Sequence, residues 1–171
     1  MRRYNTANIA EWAPFVRERE QILLSGTVYT ARDAAHKRIV ELLEMGKEPP
    51  FELDGGTIYY AGPTPARPGS VIGSCGPTTS SRMDVYMKRL LEAGLACTIG
   101  KGWRAPEVCD LIRRHGGVYL CAIGGAGALA SAHITSCEVI AFEDLGCESV
   151  KKLTFKDFPL IVAVAPGGGA V

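Results

Sequence analysis

The stretch "QILLSGTVYT" (21–30), with the residues that follow it, predicts the class of the fold. Its apolar and β-branched residues are typical of a strand. Directly after it, Thr30 and Asp33 have the spacing of a helix capping box, and Gly46 suits the position just past a helix end. The segment therefore predicts a strand, a polar turn and a helix. The apolar residues on one face of that helix are Ala35, Ile39, Leu42 and Leu43.

The alternation of strands and helices continues along the chain. Three more helices are predicted: one from Met83 to Leu91 that ends at Gly94, one in "KGWRAPEVCDLIRRHGG" (101–117), and a short one in "AGALASAH" (126–133). Further strands are predicted in "TIYYAG" (57–62), "LACTIG" (95–100), "GVYLCAIGG" (117–125), "SCEVIAFE" (136–143), "VKKLTF" (150–155) and "PLIVAVAP" (159–166). This order indicates an α/β fold with a central sheet.

Length and charge limit the functional class. The chain has 171 residues, which fits one domain, and its formal net charge of +1 gives no overall field for nucleic acid or an anionic membrane. No apolar run reaches the roughly 18 residues of a spanning helix, and the start lacks the apolar core of a signal peptide. We therefore expect a cytoplasmic protein that binds neither nucleic acid nor membrane.

The six cysteines are scattered, with no CxxC pair and no histidine at metal-site spacing. They are interpreted as buried thiols in a reducing compartment, and no metal ligands are predicted in this chain.

An arginine opens the predicted helix in "TARDAAHKR" (30–38). The positive end of the helix dipole disfavours a cation there, and a bound anion would resolve the conflict. The alternative is that Arg32 pairs with a surface acid or points into water. His36, one turn later, is a candidate to contact a substrate or orient Arg32, although a structural role is the favoured interpretation.

Hydroxyls and an arginine also mark "SCGPTTSSRMD" (74–84). A Gly-Pro turn that runs into a helix leaves backbone N–H groups free, so Thr78 and Thr79 help to form an anion site. Arg82 is positioned to clamp a carboxylate. The alternative is plain capping by Thr79 or its serine neighbours, with Arg82 on the surface. Three consecutive hydroxyls exceed what one cap requires, which favours function.

Lys101 lies between two glycines in "IGKGW" (99–103), directly after a predicted strand. Glycines allow close backbone approach to a ligand while the ammonium supplies charge, although an exposed lysine in a tight turn fits equally well. Arg32, Arg82 and Lys101 all follow predicted strands, and open α/β sheets bind ligands at that edge. Three converging cations suit a dicarboxylate.

The stretch "IGGAGALA" (123–130) matches G-x-G-x-x-A through Gly125, Gly127 and Ala130, with Glu143 about 20 residues further on. The pattern is that of a dinucleotide site. The same glycines are equally explained by close strand–helix packing or by contact with another chain.

Four of these motifs together resemble a known family. "SGTVYTARDAAHKR", "GSCGPTTSSRMD", "IGKG" and "AIGGAGALA" occur in the order that they take in the beta subunit, or C-terminal domain, of class I iron–sulfur fumarases, and the tartrate dehydratase beta subunit is similar. The resemblance covers about residues 21–165. It implies a swivelling β/β/α domain over 21–171. Residues 1–20 are a lead segment that departs from the family, and "IAEWAPFVRERE" (9–20) is expected to form an amphipathic helix or a partner contact.

The resemblance also implies a site and a partner. It makes Arg32, Thr78, Arg82 and Lys101 substrate contacts, with Thr78 as the group that handles the proton. A separate alpha subunit would hold a [4Fe–4S] cluster through its own cysteines, in a heterotetramer or around a homodimer of beta chains.

The resemblance implies a fumarate hydratase that interconverts fumarate and L-malate, active only with the alpha subunit. Alternatives are the beta subunit of an L-tartrate dehydratase, which forms oxaloacetate, and a non-catalytic protein that binds dicarboxylates.

Overall fold

A computed structural model describes residues 1–122 and 127–168. The strands in these residues are β1 (Arg2–Asn5), β2 (Gln21–Thr30), β3 (Thr57–Tyr59), β4 (Cys97–Gly100), β5 (Val118–Ala122), β6 (Ile134–Ala141) and β7 (Val150–Val164). The helices are α1 (Ile9–Trp12), α2 (Asp33–Glu44), α3 (Asp84–Glu92), α4 (Pro106–Arg114) and α5 (Gly127–Ser131). The predicted α/β class is confirmed.

One sheet contains the seven strands in the order β1-β2-β3-β4-β5-β7-β6, and a further pairing of β2 with β7 closes part of it into a ring. Strands β1 to β5 are parallel neighbours, whereas β7 is antiparallel to β2, β5 and β6. The parallel strands therefore end at one common edge of the sheet, and the segments that leave β2, β3 and β4 meet there.

Strand β7 corrects a sequence prediction, because 150–155 and 159–166 were expected to be two strands. They form one 15-residue strand that bends at Asp157, where φ is +46°. The backbone N–H of Asp157 donates to Ser25 Oγ at 2.9 Å. This hydrogen bond satisfies an N–H that, because of the bend, does not pair with a neighbouring strand. Lys156, Asp157 and Pro159 interrupt the apolar pattern, so the sequence showed a break where the strand continues.

The core lies on both faces of the sheet. Tyr59 faces the interior of the ring with Phe155 and Phe158, whereas its neighbours Ile58 and Tyr60 face the helices. This alternation is the two-residue period of a strand. The apolar face of α3, with Met83, Met87, Leu90 and Leu91, is buried as the sequence predicted.

The first twenty residues pack onto this core. Strand β1 extends the sheet beside β2, and α1 is one turn whose Ile9 and Trp12 are buried, together with Ala13 and Val16. A side chain at Gly26, where φ is +114°, would collide with Thr6. Residues 1–20 thus contribute a strand that the sequence did not predict, while the boundary at residue 20 stays a prediction.

The start of α2 corrects a second prediction. Thr30 does not form a capping box, because its hydroxyl accepts from the backbone N–H of Lys151 at 3.0 Å. Arg32 is the N-cap residue and makes no side-chain cap, while Glu148 Oε1 accepts from the N–H of Ala34 at 3.1 Å. The carboxylate that the helix N-terminus attracts therefore comes from a distant turn, Glu143–Glu148.

Glycines end α2 and α3 as predicted. Gly46 and Gly94 both have positive φ, +70° and +97°, a conformation that glycine adopts without steric cost. Across the described part of the chain, each helix is too short or too polar to cross a membrane.

Candidate active site

The segment 74–80 lies against the end of β3. Tyr59 Oη donates to the carbonyl of Cys75 at 2.6 Å, and the N–H of Thr78 donates to the carbonyl of Tyr60 at 2.7 Å. Ala61 and Pro77 form a bridge beyond the strand. These contacts hold the two threonines at the carboxyl edge of the sheet.

Arg82 joins this segment to the start of α2. Its Nε and Nη2 donate to the two carboxylate oxygens of Asp33 at 3.0 and 3.1 Å, and Nη2 also donates to Thr78 Oγ1 at 2.7 Å. Partial burial raises the pKa of Asp33, but the hydrogen bond and charge of Arg82 outweigh it, so the pKa lies below its usual value. Asp33 was expected in a capping box; it is instead the anion that orients Arg82.

Capping does not explain the hydroxyls of this segment. A 3-10 turn, Ser80–Met83, precedes α3, and its N-cap Thr79 makes no side-chain cap hydrogen bond. Ser80 is buried and contacts Tyr119, whose Oη lies 2.7 Å from Ser80 Oγ. Thr78 and Thr79 are half-buried at the edge and remain candidates for ligand contact.

Arg32 lies beside this cluster because it directly precedes Asp33. Its side chain is half-buried, and its Nε has no hydrogen-bond partner among the described residues. A Cβ at Gly62 would lie 3.0 Å from Arg32 Cδ and 3.0 Å from the carbonyl oxygen of Cys147, so the arginine packs closely against this glycine. Arg32 is therefore a partly desolvated cation with an unused donor, which suits an anionic ligand.

His36 lies beneath Arg32. Its Nδ1 is 2.9 Å from the carbonyl oxygen of Arg32, and its ring packs between Tyr60 and Tyr86. Burial lowers the pKa of His36 to about 4, so the ring is neutral near pH 7. Because the side chain is fully buried, its effect on a ligand would pass through the backbone of Arg32. This placement supports the orienting and structural interpretations.

The lowered pKa of His36 predicts a loss of stability in acid. The unfolded chain binds a proton at His36 near pH 6.5 and the folded chain only near pH 4, so stability is full above pH 6.5 and falls as pH drops toward 4. The expected loss is about 3 kcal/mol. Thermal unfolding from pH 7 to pH 4 should show a steeper decline for the wild type than for His36→Gln. His115→Gln, which changes an exposed ring, should follow the wild type. Parallel declines in all three proteins would contradict the prediction.

Lys101 reaches the same edge from β4. Its carbonyl accepts from the N–H of Ser80 at 2.9 Å, and it forms a bridge with Thr79, while its side chain is exposed. Gly102 has φ of +83°, as a tight turn requires. A side chain at Gly100 would collide with Ser80. The glycine therefore allows its backbone to lie close to Ser80 of this chain, not to a ligand.

Behind these groups lies a buried arginine that the sequence analysis missed. Arg104 Nε donates to Asp84 Oδ1 at 2.8 Å, and its Nη1 donates to Tyr60 Oη at 3.0 Å and to Thr98 Oγ1 at 3.3 Å. Its guanidinium also stacks on Tyr60 and Tyr119. Tyr119 Oη lies 2.8 Å from the carbonyl oxygen of Gly102, which fixes the turn after Lys101. No local motif marks these residues, since their partners lie up to 44 positions away.

The glycine-rich stretch has a packing role where it is described. The carbonyl of Gly127 accepts from the N–H of Cys75 at 3.2 Å, and a side chain at Gly127 would collide with Ser74. Gly125, the first glycine of the dinucleotide pattern, lies outside the described residues. Ala130 belongs to α5 and Glu143 to a 3-10 turn.

The cysteines are only partly as expected. Cys75 and Cys97 are buried, and burial raises the pKa of each thiol to about 12. Cys147 is exposed, so the interpretation as buried thiols was wrong for it. Within residues 1–122 and 127–168, His, Cys, Asp and Glu side chains form no group of three or more that could hold a metal ion.

Comparisons with known proteins agree on one family. A family model described as Fumarase C-terminus matches residues 3–171. The anaerobic class I fumarate hydratase of Escherichia coli (strain K12) is 40% identical over 150 residues, which cover 86% of this chain and 27% of that protein. Fumarate hydratase 2 of Leishmania major is also 40% identical, with 86% and 26% covered.

A further relative is similar in length to this chain. The putative L(+)-tartrate dehydratase subunit beta of Methanocaldococcus jannaschii is 36% identical over 156 residues, which cover 88% of this chain and 80% of that protein. The chain thus spans about a quarter of the fumarate hydratases but most of this subunit.

Proposed function

The chain belongs to the Fumarase C-terminus family, and from this membership we propose that it is the beta subunit of a class I fumarate hydratase, a hydro-lyase that interconverts fumarate and L-malate. The observation that carries the proposal is the meeting of Arg32, Thr78, Arg82 and Lys101 at one edge of the sheet. Direct hydrogen bonds join the segments that bear them. These are the groups that a dicarboxylate requires.

The cations would bind and stabilise the substrate. Arg32 is a half-buried guanidinium and Lys101 carries an exposed ammonium, so each is a candidate to take one carboxylate. When a proton leaves the carbon next to a carboxylate, negative charge builds on that carboxylate, and preoriented cations stabilise it more than they stabilise the substrate. Arg82 would contribute to the same field, although Asp33 neutralises part of its charge.

Thr78 is the proposed proton-handling group. Arg82 Nη2 donates to its Oγ1, which leaves the hydroxyl hydrogen directed elsewhere and places a positive charge 2.7 Å from the oxygen. A neutral hydroxyl is a weak base. A neighbouring positive charge stabilises the alkoxide, which is the form that can accept a proton. His36 would keep the Arg32 backbone in position and take no proton itself, since it is buried and neutral.

The described residues of this chain do not fit the iron–sulfur cluster that we propose for this enzyme. Within the described residues no ligand group of three or more side chains exists, and Cys75 and Cys97 are buried thiols with raised pKa. We therefore assign a [4Fe–4S] cluster to the alpha subunit, and the steps above run through this chain's own residues only.

Partner and compartment complete the proposal. The match to a separate beta subunit supports an alpha-subunit partner, in a heterotetramer or around a homodimer of beta chains. The free cysteines support a reducing, cytoplasmic compartment.

A second candidate is the beta subunit of an L-tartrate dehydratase. It is favoured by the extent of the match to the Methanocaldococcus jannaschii subunit, of which this chain covers 80%. Tartrate differs from malate by one hydroxyl, so the same cations would bind it.

The proposal is tested by anoxic assays of fumarate hydration. We expect no activity from this chain alone, and activity after co-expression with the chain encoded beside it, because the site is shared. An intact complex that contains its cluster but acts on tartrate and not on fumarate would establish the second candidate. A complex inactive on both would overturn the proposal.

A further inference from the structure

Trp103 is the most exposed large apolar side chain among the described residues. It is 92% exposed, two residues after Lys101, whereas the other tryptophan, Trp12, is 5% exposed. An exposed indole leaves one of the largest apolar side-chain surfaces in contact with water, which is unfavourable. Its backbone is held in place, since Arg104 and the carbonyl of Gly102 are anchored on either side. Trp103 is therefore an exposed side chain on a backbone segment that is anchored on both sides.

Val85 is the next most exposed large apolar side chain among the described residues, at 80%. It follows Asp84, whose carboxylate accepts from Arg104 Nε at 2.8 Å and from the N–H of Ala105 at 2.9 Å. Trp103 precedes the same Arg104. Val85 and Trp103 thus each follow or precede a member of one buried ion pair, and we name these two residues the apolar rim.

The apolar rim borders the candidate site. Val85 lies one turn after Arg82, and Trp103 two residues after Lys101. A molecule that contacts Arg82 and Lys101 from the solvent side is therefore expected to meet Val85 and Trp103 as well.

We infer that the apolar rim is a docking surface for the cluster-bearing alpha subunit, with Trp103 as the central anchor. The inference rests on the proposed function, which requires a second polypeptide over this edge. The fumarate hydratases matched by the chain are about three times as long as it, so they contain a large further segment that is available to cover this edge. The complementary surface is an apolar pocket that accepts an indole, with an acceptor for its N–H.

A second copy of this chain fits the rim less well. Lys101 lies two residues before Trp103 and has no ion-pair partner among the described residues. A symmetric contact through the rim would bring this cation toward its copy, and like charges at an interface oppose association.

The test labels this chain alone with 5-fluorotryptophan and follows it by 19F NMR. Two resonances are expected, and Trp103→Phe assigns them. Addition of the unlabelled alpha subunit should shift the Trp103 resonance and reduce its H2O/D2O isotope shift, because the indole becomes buried. The Trp12 resonance, from a buried ring that donates to the carbonyl of Asn5, should not move. A Trp103 resonance that stays unchanged in the complex would overturn the inference.

Two variants measure how much Trp103 contributes to the affinity between the subunits. Trp103→Glu should weaken subunit association by roughly 30-fold or more, the threshold effect of an interface hot spot. Met45→Glu, which changes a side chain that is 59% exposed at the C-terminal end of α2, should leave the affinity unchanged. Both affinities are measured by sedimentation velocity, after matched thermal unfolding shows that both variants are folded.

The outcomes distinguish a failure of the docking surface from a failure of the proposed function. Wild-type affinity for Trp103→Glu in an active complex overturns the docking surface and leaves the proposed function standing. No association of the wild-type chain with the alpha subunit overturns both. Concentration-dependent movement of the Trp103 resonance in the isolated chain would assign the rim to self-association, and would also overturn the inference.

Discussion

Replacement of Arg32 with methionine is expected to lower turnover of the assembled enzyme by about 10²–10³-fold, the usual cost of removing one preoriented donor to a developing anion. Arg32 is half-buried, and its buried Nε has no hydrogen-bond partner in the described residues, so the guanidinium is partly desolvated. Methionine keeps much of the side-chain length and removes the charge. The measurement is kcat and KM for fumarate hydration under anoxic conditions.

The same variant should leave the protein assembled. Subunit association, cluster content and thermal stability should match the wild type, since the lost interaction is with substrate. Lys37→Met, which removes an exposed cation from the same helix, is the matched control and should retain full turnover. Near-normal turnover of Arg32→Met would remove Arg32 from the site.

Replacement of Arg104 with methionine is expected to have the largest effect on stability. The Arg104 side chain is fully buried and that of Asp84 is 13% exposed, so the substitution leaves a carboxylate without its cation. Breaking such a pair costs about 3–5 kcal/mol. At about 2–4 °C per kcal/mol for a chain of this size, Tm should fall by roughly 6–20 °C.

A surface pair provides the control for Arg104. Arg89 pairs with Glu44 at 3.1 Å, and both side chains are substantially exposed, so Arg89→Met should cost at most about 1 kcal/mol. The double variant Arg104→Met, Asp84→Asn should recover part of the loss, because it removes the unpaired charge. Equal Tm values for Arg104→Met and Arg89→Met would show that the buried pair contributes no stability.

Much of the fold could be predicted from local patterns. Strand β2, the apolar face of α3 and the glycine ends of α2 and α3 follow from residue types a few positions apart. The predictions that failed involved distant partners. Thr30 has capping-box spacing, but its hydroxyl bonds to Lys151, 121 positions away. The bend in β7 at Asp157 is supported by Ser25, which lies on another strand.

The candidate site was likewise predicted from local motifs only in part. Arg32, Thr78, Arg82 and Lys101 were identified in the sequence because each lies in a short motif at the end of a predicted strand. Their roles toward a substrate stay predictions. The groups that position them were missed: Asp33 orients Arg82 across 49 positions, and Tyr119 ties Ser80 to the turn after Lys101.

By itself the sequence determined the α/β class, the chemical types at the site and the family, because periodicity and motifs are properties of neighbouring residues. Only the tertiary structure decided that Arg82 pairs with Asp33, that Arg104 is buried behind the site, and that Trp103 is presented to solvent beside it. Those outcomes depend on which side chains meet when the sheet closes through β2 and β7. Burial and charge pairing act through space, so they take effect only once the fold has brought distant residues together.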